Sequence, residues 1–182
     1  MSASSPAPAA TPRYDRFALG LHWAMAVLIV LAFGLALVVD VFPRSFEPAI
    51  VETHKDLGVA ILVLLVIRFL WRLTHTPPAQ DPEIGALAQK ASHLGHLALY
   101  GLMVLVPVIG VLFAFWRGQG LHLGVVDIAS PFAADRAVAR PLKEIHELAA
   151  YALMGLAGLH AAAALWHHYV KRDSTLRRML PA

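Results

Sequence analysis

Four histidines lie in three apolar stretches of the chain, at depths that match in pairs. His22 lies in the first stretch, His54 begins the second, and His146 and His160 lie fourteen residues apart in the last. Ionisable or ligating side chains are costly inside a bilayer, so their repeated placement there indicates a functional site. Histidine is the usual axial ligand of a b-type haem. The four residues therefore predict two bis-histidine haems stacked across a membrane.

Helix geometry assigns these histidines to two pairs. Fourteen residues of α-helix rise about 21 Å and return to within about 40° of the starting direction. His146 and His160 therefore point to one side of the last helix, near opposite membrane surfaces. Alternating helix directions place His22 level with His160 on the inner side, and His54 level with His146 on the outer side. Six-coordinate bis-histidine iron has no open position for a ligand, so such haems carry electrons.

The composition indicates an integral membrane protein. Of 182 residues, 58% are hydrophobic and the mean hydropathy is +0.63, whereas a soluble domain of this length is normally less than half apolar. Four stretches of at least about 20 mostly apolar residues are long enough to cross a bilayer. They are roughly Phe17–Val41, His54–Leu73, His93–Trp116 and Ile145–Tyr169. We predict an all-α bundle of four transmembrane helices in one domain, residues 13–180, after a proline-rich extension over residues 1–12 that we expect to be disordered.

Several other classes of protein are disfavoured by composition. The chain has no cysteine, which excludes disulfides, thiolate ligation of haem and cysteine-bound iron–sulfur clusters. Its net charge is +3, but the basic residues flank apolar runs instead of forming a stripe, so nucleic acid is not an expected partner. The histidines could alternatively bind zinc. Zinc sites usually bring three or four ligands together, whereas the two histidine pairs lie too far apart to share one ion.

The lysines and arginines predict the orientation of the bundle. With the N-terminus inside, nine basic residues lie on the inner side: Arg13, Arg16, Arg68, Arg72, Lys90, Lys171, Arg172, Arg177 and Arg178. Six lie on the outer side: Arg44, Lys55, Arg117, Arg136, Arg140 and Lys143. The basic cluster after the fourth span favours cytoplasmic termini. We therefore expect a multi-pass protein of the bacterial inner membrane.

Arg68 is a basic residue inside the second apolar stretch. It follows His54 by fourteen residues, so we expect it to face the interior near the inner histidine pair. Two interpretations have about equal weight. Arg68 neutralises a propionate of the inner haem, or its side chain snorkels to the inner membrane interface.

Further histidines near the inner surface are candidates for a quinone-binding pocket. His96 shares one helix face with His93 in the motif HLGH, and either could instead support a ligand or form part of an interface. His167 and His168 follow Trp166 at the inner end of the fourth helix. For these two, a polar and aromatic belt at the membrane surface is the favoured alternative. Trp23, beside His22, is the remaining candidate.

Five motifs resemble those of the prokaryotic cytochrome b561 family. They are RYDRFALGLHW, ETHKDLG, HLGHLALYGLMVLVPVIG, IHELAAYALMGLAGLHAAAALWHHY and DSTLRRML. The resemblance extends from residue 13 to residue 180. It implies a four-helix membrane bundle with two b haems, whose axial ligands fall by match of motif on His22, His54, His146 and His160.

The chain is most similar to the superoxide oxidase branch of that family, because it is short and has no partner domain. The resemblance implies oxidation of periplasmic superoxide to oxygen and reduction of ubiquinone. Lys55 and Lys143 are then the candidate catalytic residues, with Arg117 beside them, because they supply positive charge near the outer haem edge. Nearby acidic residues leave the outer side without net positive charge, so any steering of superoxide must come from a local patch.

Two other interpretations stay open from the sequence. Some family members resemble cytochrome b subunits, which transfer electrons between a peripheral partner of the hydrogenase or formate dehydrogenase type and quinone. A haem-free four-helix protein, such as a metal carrier or a structural membrane component, is a more distant possibility. Purified protein without haem absorption would favour that last interpretation.

Overall fold

Four long helices make up almost the whole molecule. The computed structural model describes residues 13–78, 85–123 and 126–180, so the extension predicted over residues 1–12 lies outside the described residues. The helices are α1 (Arg16–Val38), α2 (Glu47–Thr74), α3 (Ala86–Trp116) and α4 (Arg136–Trp166). Each is long and apolar enough to cross a membrane, and the fourth continues through a π-helical turn, His167–Lys171. The predicted four-span, all-α architecture is confirmed.

Three of the helices begin well before the predicted spans. Helix α2 starts at Glu47 rather than His54, α3 at Ala86 rather than His93, and α4 at Arg136 rather than Ile145. Hydropathy marks only the part of a helix that lies in lipid, whereas backbone hydrogen bonds continue the helix into the aqueous layer. The extra turns are accordingly polar, and Asp135 caps α4 by accepting a hydrogen bond from the Ala137 amide at 2.8 Å.

Helix α4 packs mainly on α3. Helix α1 packs on α2, α2 on α3, and α3 on α4 along much of their lengths. Among the described residues, α4 approaches α1 and α2 chiefly through paired aromatic and histidine rings. The few buried side chains, such as Met25, Leu65 and Leu153, are small to medium in size. Many large apolar side chains face outward, as expected for a bundle solvated by lipid.

A short β-hairpin covers one end of the bundle, which we call the hairpin end. Strands β1 (Leu121–Leu123) and β2 (Val126–Ile128) are antiparallel, and the sequence did not predict them. A Cβ atom on Gly120 would lie 2.6 Å from the Ile128 carbonyl oxygen, so this close approach requires glycine. Lys55 Nζ donates a hydrogen bond to the Gly120 carbonyl at 3.1 Å, which ties the hairpin to α2.

The C-terminal segment folds back over the opposite end, which we call the terminal end. A 3-10 turn at Arg177–Met179 follows the π-helical turn of α4. The Trp23 indole donates a hydrogen bond to the Met179 carbonyl at 2.8 Å, although 156 residues separate the two. This contact holds the C-terminal segment against α1, one residue away from His22.

Asp15 fixes the start of α1 at the terminal end. Its carboxylate accepts hydrogen bonds from the Ala18 amide at 2.8 Å and from the Trp71 indole at 3.2 Å. Burial alone would raise the pKa of Asp15, but these bonds outweigh it and hold that pKa below its usual value. The charged form therefore caps α1 and joins it to the end of α2.

Replacing Asp15 with alanine is expected to reduce the free energy of unfolding by about 1 kcal/mol, because a helix cap is lost. The thermal midpoint of helix loss in detergent measures this change. Asp15→Asn is the matched control, since its amide oxygen still accepts the Ala18 hydrogen bond. Because the folded pKa is lowered, the contribution of Asp15 is present at neutral pH and is lost as the pH falls through that value. Equal midpoints for wild type and Asp15→Ala would contradict the capping role.

Candidate functional site

The four histidines of the sequence pattern meet as two pairs at opposite ends of the bundle. The ring centroids of His22 and His160 are 6.3 Å apart at the terminal end, and those of His54 and His146 are 6.0 Å apart at the hairpin end. A metal bound by one nitrogen of each ring at about 2 Å would separate the two ring centres by roughly 6 Å, once the distance from each nitrogen to its ring centre is added. Each pair therefore suits one iron between two imidazoles.

The imidazoles of the hairpin-end pair are oriented by backbone carbonyls. His54 Nδ1 lies 2.8 Å from the Ala32 carbonyl oxygen, and His146 Nδ1 lies 2.9 Å from the Val106 carbonyl oxygen. A carbonyl only accepts, so both Nδ1 atoms carry the proton and donate it. Each Nε2 is then the unprotonated nitrogen that can ligate a metal. The carbonyls come from α1 and α3, so three helices besides α4 position this pair.

Gly110 gives the His146 ring its space on α3. A Cβ atom at this position would lie 2.9 Å from Cε1 and 3.2 Å from Nδ1 of His146. Even an alanine would push the ring away from the Val106 carbonyl. The sequence did not identify Gly110, because glycine is common in membrane helices and nothing in the motif showed which helix it would face.

The terminal-end pair has a different environment. Arg68 is half-buried; its Nε donates to the Tyr100 hydroxyl at 3.0 Å and its Nη1 to the Ala18 carbonyl at 3.3 Å. Ala18 lies one helical turn before His22, so Arg68 is near this histidine pair, as the sequence predicts. The His96 ring centroid lies 5.2 Å from that of His160, and His96 Nδ1 donates to the Ser92 carbonyl at 2.6 Å.

His167 and His168 lie at the same end, in the π-helical turn that follows α4. His167 Nδ1 pairs with the Asp173 carboxylate, which also accepts a hydrogen bond from the Thr175 amide. Burial would raise the pKa of Asp173, but the His167 hydrogen bond and the Thr175 amide hold that pKa below its usual value. Within the described residues, the buried Nδ1 of His168 has no hydrogen-bond partner.

Lys55 and Lys143 both lie at the hairpin end, but each is paired with a glutamate. Lys55 Nζ is 2.6 Å from Glu52, and only 11% of its side chain is exposed. Lys143 Nζ is 2.8 Å from Glu147, with 55% of its side chain exposed. The sequence indicated nearby acidic residues but not these pairings. Lys143 is the more accessible of the two to a small anion.

The described residues, which leave out 1–12, 79–84, 124–125 and 181–182, contain no group of three or more histidine, aspartate, glutamate or cysteine side chains that could hold a metal ion. The zinc interpretation therefore has no ligand cluster in that part of the chain. Two-histidine pairs are instead the ligand set of a six-coordinate haem, in which the macrocycle supplies the other four ligands.

Comparison with known proteins identifies the family of the chain. The family model of the prokaryotic cytochrome b561 proteins matches residues 13–182. The chain belongs to the prokaryotic cytochrome b561 family. It is therefore a multi-pass bacterial membrane protein that binds haem b and transfers electrons.

Individual relatives in this family cover nearly the whole chain. A probable superoxide oxidase CybB of Yersinia pestis is 34% identical over 172 residues, which are 93% of this chain and 96% of the relative. Cytochrome b561 homolog 2 of Escherichia coli K12 is 31% identical over 92% of this chain and 91% of the relative. Cytochrome b562 of Cereibacter sphaeroides is 34% identical over 93% of this chain and 96% of the relative.

Replacing Gly110 with alanine is expected to lower the haem bound per chain, because the new methyl group displaces His146 from the Val106 carbonyl. The haem-to-protein ratio of the purified variant measures this. Gly101→Ala, on the same helix, is the matched control, since a Cβ atom at Gly101 would meet no neighbouring atom within 4 Å. A Gly110→Ala protein with the wild-type haem ratio would show that the ring position does not matter for ligation.

Proposed function

We propose that this chain is a dihaem cytochrome b that oxidises periplasmic superoxide to oxygen and reduces ubiquinone. His22 and His160 hold one haem at the terminal end, and His54 and His146 hold the other at the hairpin end. The observation that carries this proposal is the spacing of the two pairs, each of which suits one bridging iron. Bound haem supplies one-electron exchange at an iron with no open position for a ligand.

The distribution of basic residues supports cytoplasmic termini in the inner membrane. The terminal end carries Arg16, Arg72, Lys171 and Arg172 at or near the helix ends, followed by Arg177 in the 3-10 turn. Positive residues close to helix ends favour the cytoplasmic side. The hairpin end therefore faces the periplasm, where superoxide meets the His54 and His146 pair.

The two ends have different chemical tasks. Each superoxide ion loses one electron and leaves as oxygen, which needs no proton from the protein. Ubiquinone takes two electrons, from two superoxide ions, together with two protons. Protonatable side chains are therefore needed where the quinone binds, and only attraction of an anion is needed where superoxide reacts.

Lys143 and Lys55 attract superoxide at the hairpin end in this proposal. Both are paired with glutamates, so the attraction is local and modest rather than a strong field over the whole surface. Lys143 supplies most of it because its side chain is the more exposed. Lys55 also holds the hairpin in place through the Gly120 carbonyl.

Quinone binds at the terminal end in this proposal, beside His96, His167 and His168. His96 is in ring contact with the ligand His160. The His167 and Asp173 pair can hold a proton and release it, and the buried Nδ1 of His168 offers a hydrogen bond to a quinone oxygen. Arg68 neutralises a propionate of the haem at this end, since its guanidinium is held between Tyr100 and Ala18 near His22.

A superoxide pulse onto the purified, oxidised protein tests the whole proposal. Fast reduction of the haem absorption is expected, followed by reoxidation only when ubiquinone is present. His167→Gln is expected to slow reoxidation while the first phase keeps its rate. Intact haem bands that do not respond to superoxide would contradict the proposal and favour a subunit that requires a docked electron donor.

Lys143→Gln is expected to slow the first phase a few-fold at low ionic strength, with the rates converging at high salt, because exposed charges are screened. Stopped-flow reduction of the haem bands across a salt series measures this. Arg140→Gln is the matched control, since Arg140 is also an exposed cation of α4 that is paired with a glutamate. An equal loss in both variants would assign the effect to overall charge and would contradict a specific role for Lys143.

A further inference from the structure

The two histidine pairs differ in how their imidazoles are held. At the hairpin end, both Nδ1 atoms donate to backbone carbonyls, those of Ala32 and Val106. At the terminal end, His22 and His160 make ring contacts with Trp23, with His96 and with each other, and none of the hydrogen bonds described for this part of the chain joins either ring to a carbonyl. Both sites have two histidines, but the imidazoles differ in their hydrogen bonds, so the two sites differ electronically.

A hydrogen bond from Nδ1 to a carbonyl makes an imidazole a more basic ligand. A more basic ligand stabilises ferric iron relative to ferrous iron, because the ferric ion has the higher charge. The carbonyls of Ala32 and Val106 therefore lower the reduction potential of the hairpin-end site. Both are main-chain groups of long helices, so this effect is fixed by the fold rather than by a mobile side chain.

At the terminal end, the positive charge of Arg68 raises the reduction potential of the site. The Arg68 guanidinium is fixed by Tyr100 of α3 and by the Ala18 carbonyl of α1. A fixed cation in a low-dielectric interior disfavours the oxidised site, which carries one positive charge more than the reduced site. Within the described residues, Arg68 forms no ion pair with a protein carboxylate, so its charge is left to offset the haem propionate assigned to it above, whose negative charge would otherwise stabilise the oxidised site.

Most charges near the hairpin-end pair are paired, and Asp56, two residues after His54, adds an exposed carboxylate. Glu52 lies two residues before His54, and Glu147 directly follows His146. These carboxylates are paired with Lys55 and Lys143 respectively. The hydrogen bonds to the carbonyls therefore lower the reduction potential of the site at that end, whereas Arg68 raises the reduction potential of the site at the terminal end.

We infer that the Ala32 and Val106 carbonyls and the Arg68 charge give the terminal-end haem site the higher reduction potential of the two. With haem bound at both pairs, the hairpin-end site would be the electron donor and the terminal-end site the acceptor in the favourable direction. Arg68 is a positioning and tuning residue in this scheme, not a catalytic one. The inference rests on the proposed function, because it takes both haems as bound at the assigned pairs.

An equilibrium redox titration of the haem absorption, in wild type and in Arg68→Gln, tests this order. Wild type is expected to show two resolved midpoint potentials. Arg68→Gln is expected to lower the higher midpoint and leave the lower one in place. The equilibrium constant for transfer between the haems should fall at least tenfold, which for a one-electron couple is 59 mV. Arg68→Lys, which keeps the charge, is the matched control and should stay close to wild type.

Gly110→Ala assigns the two midpoints to the two ends, since it perturbs only the hairpin-end pair. The haem that survives in this variant is expected to have the higher midpoint. A single midpoint in wild type, or a shift of the lower midpoint in Arg68→Gln, would overturn the inference. Arg68→Gln keeps all four ligands, so its result stands even if Gly110→Ala does not fold. Failure of the potential order would leave the superoxide-pulse result untouched, whereas failure of that pulse would contradict the proposed function itself.

Discussion

The cost of placing a polar ring inside a lipid-facing bundle is the constraint on which this structure depends. An imidazole nitrogen without a partner is costly there, because no water is available within the hydrocarbon layer. At the hairpin end, helix carbonyls accept one proton from each ring. The two rings of each pair lie with their centroids about 6 Å apart. Haem held between them, as proposed, would make haem binding and packing of the bundle depend on each other.

The sequence predicted the parts of this arrangement that repeat along a helix. The spans followed from hydropathy, and the pairing of the histidines followed from a spacing of fourteen residues on α4. Arg68 was placed near the terminal-end pair by the same spacing on α2. Its hydrogen bond to Tyr100 could not be predicted, because it depends on how α2 and α3 are rotated relative to each other, and no local sequence pattern shows that rotation.

Other features were beyond prediction because they depend on tertiary contacts. Every residue has a backbone carbonyl, so only the fold shows that those of Ala32 and Val106 accept hydrogen bonds from histidines. Gly110 was indistinguishable from a packing glycine. The pairing of Lys55 with Glu52, three residues apart on a helix, was foreseeable in principle, but the burial of Lys55 under the hairpin was not. The His167 and Asp173 contact depends on the π-helical turn and on the left-handed backbone of Arg172.

The central claim is that the chain holds two haems, each between a histidine of α4 and one of α1 or α2. The most direct test is the haem-to-protein ratio and low-spin haem spectrum of four single variants, His22→Leu, His54→Leu, His146→Leu and His160→Leu. Two classes of variant are expected: His22 and His160 variants lose one haem with the same residual spectrum, and His54 and His146 variants lose the other. Any other grouping, or a variant that keeps both low-spin haems, would contradict it.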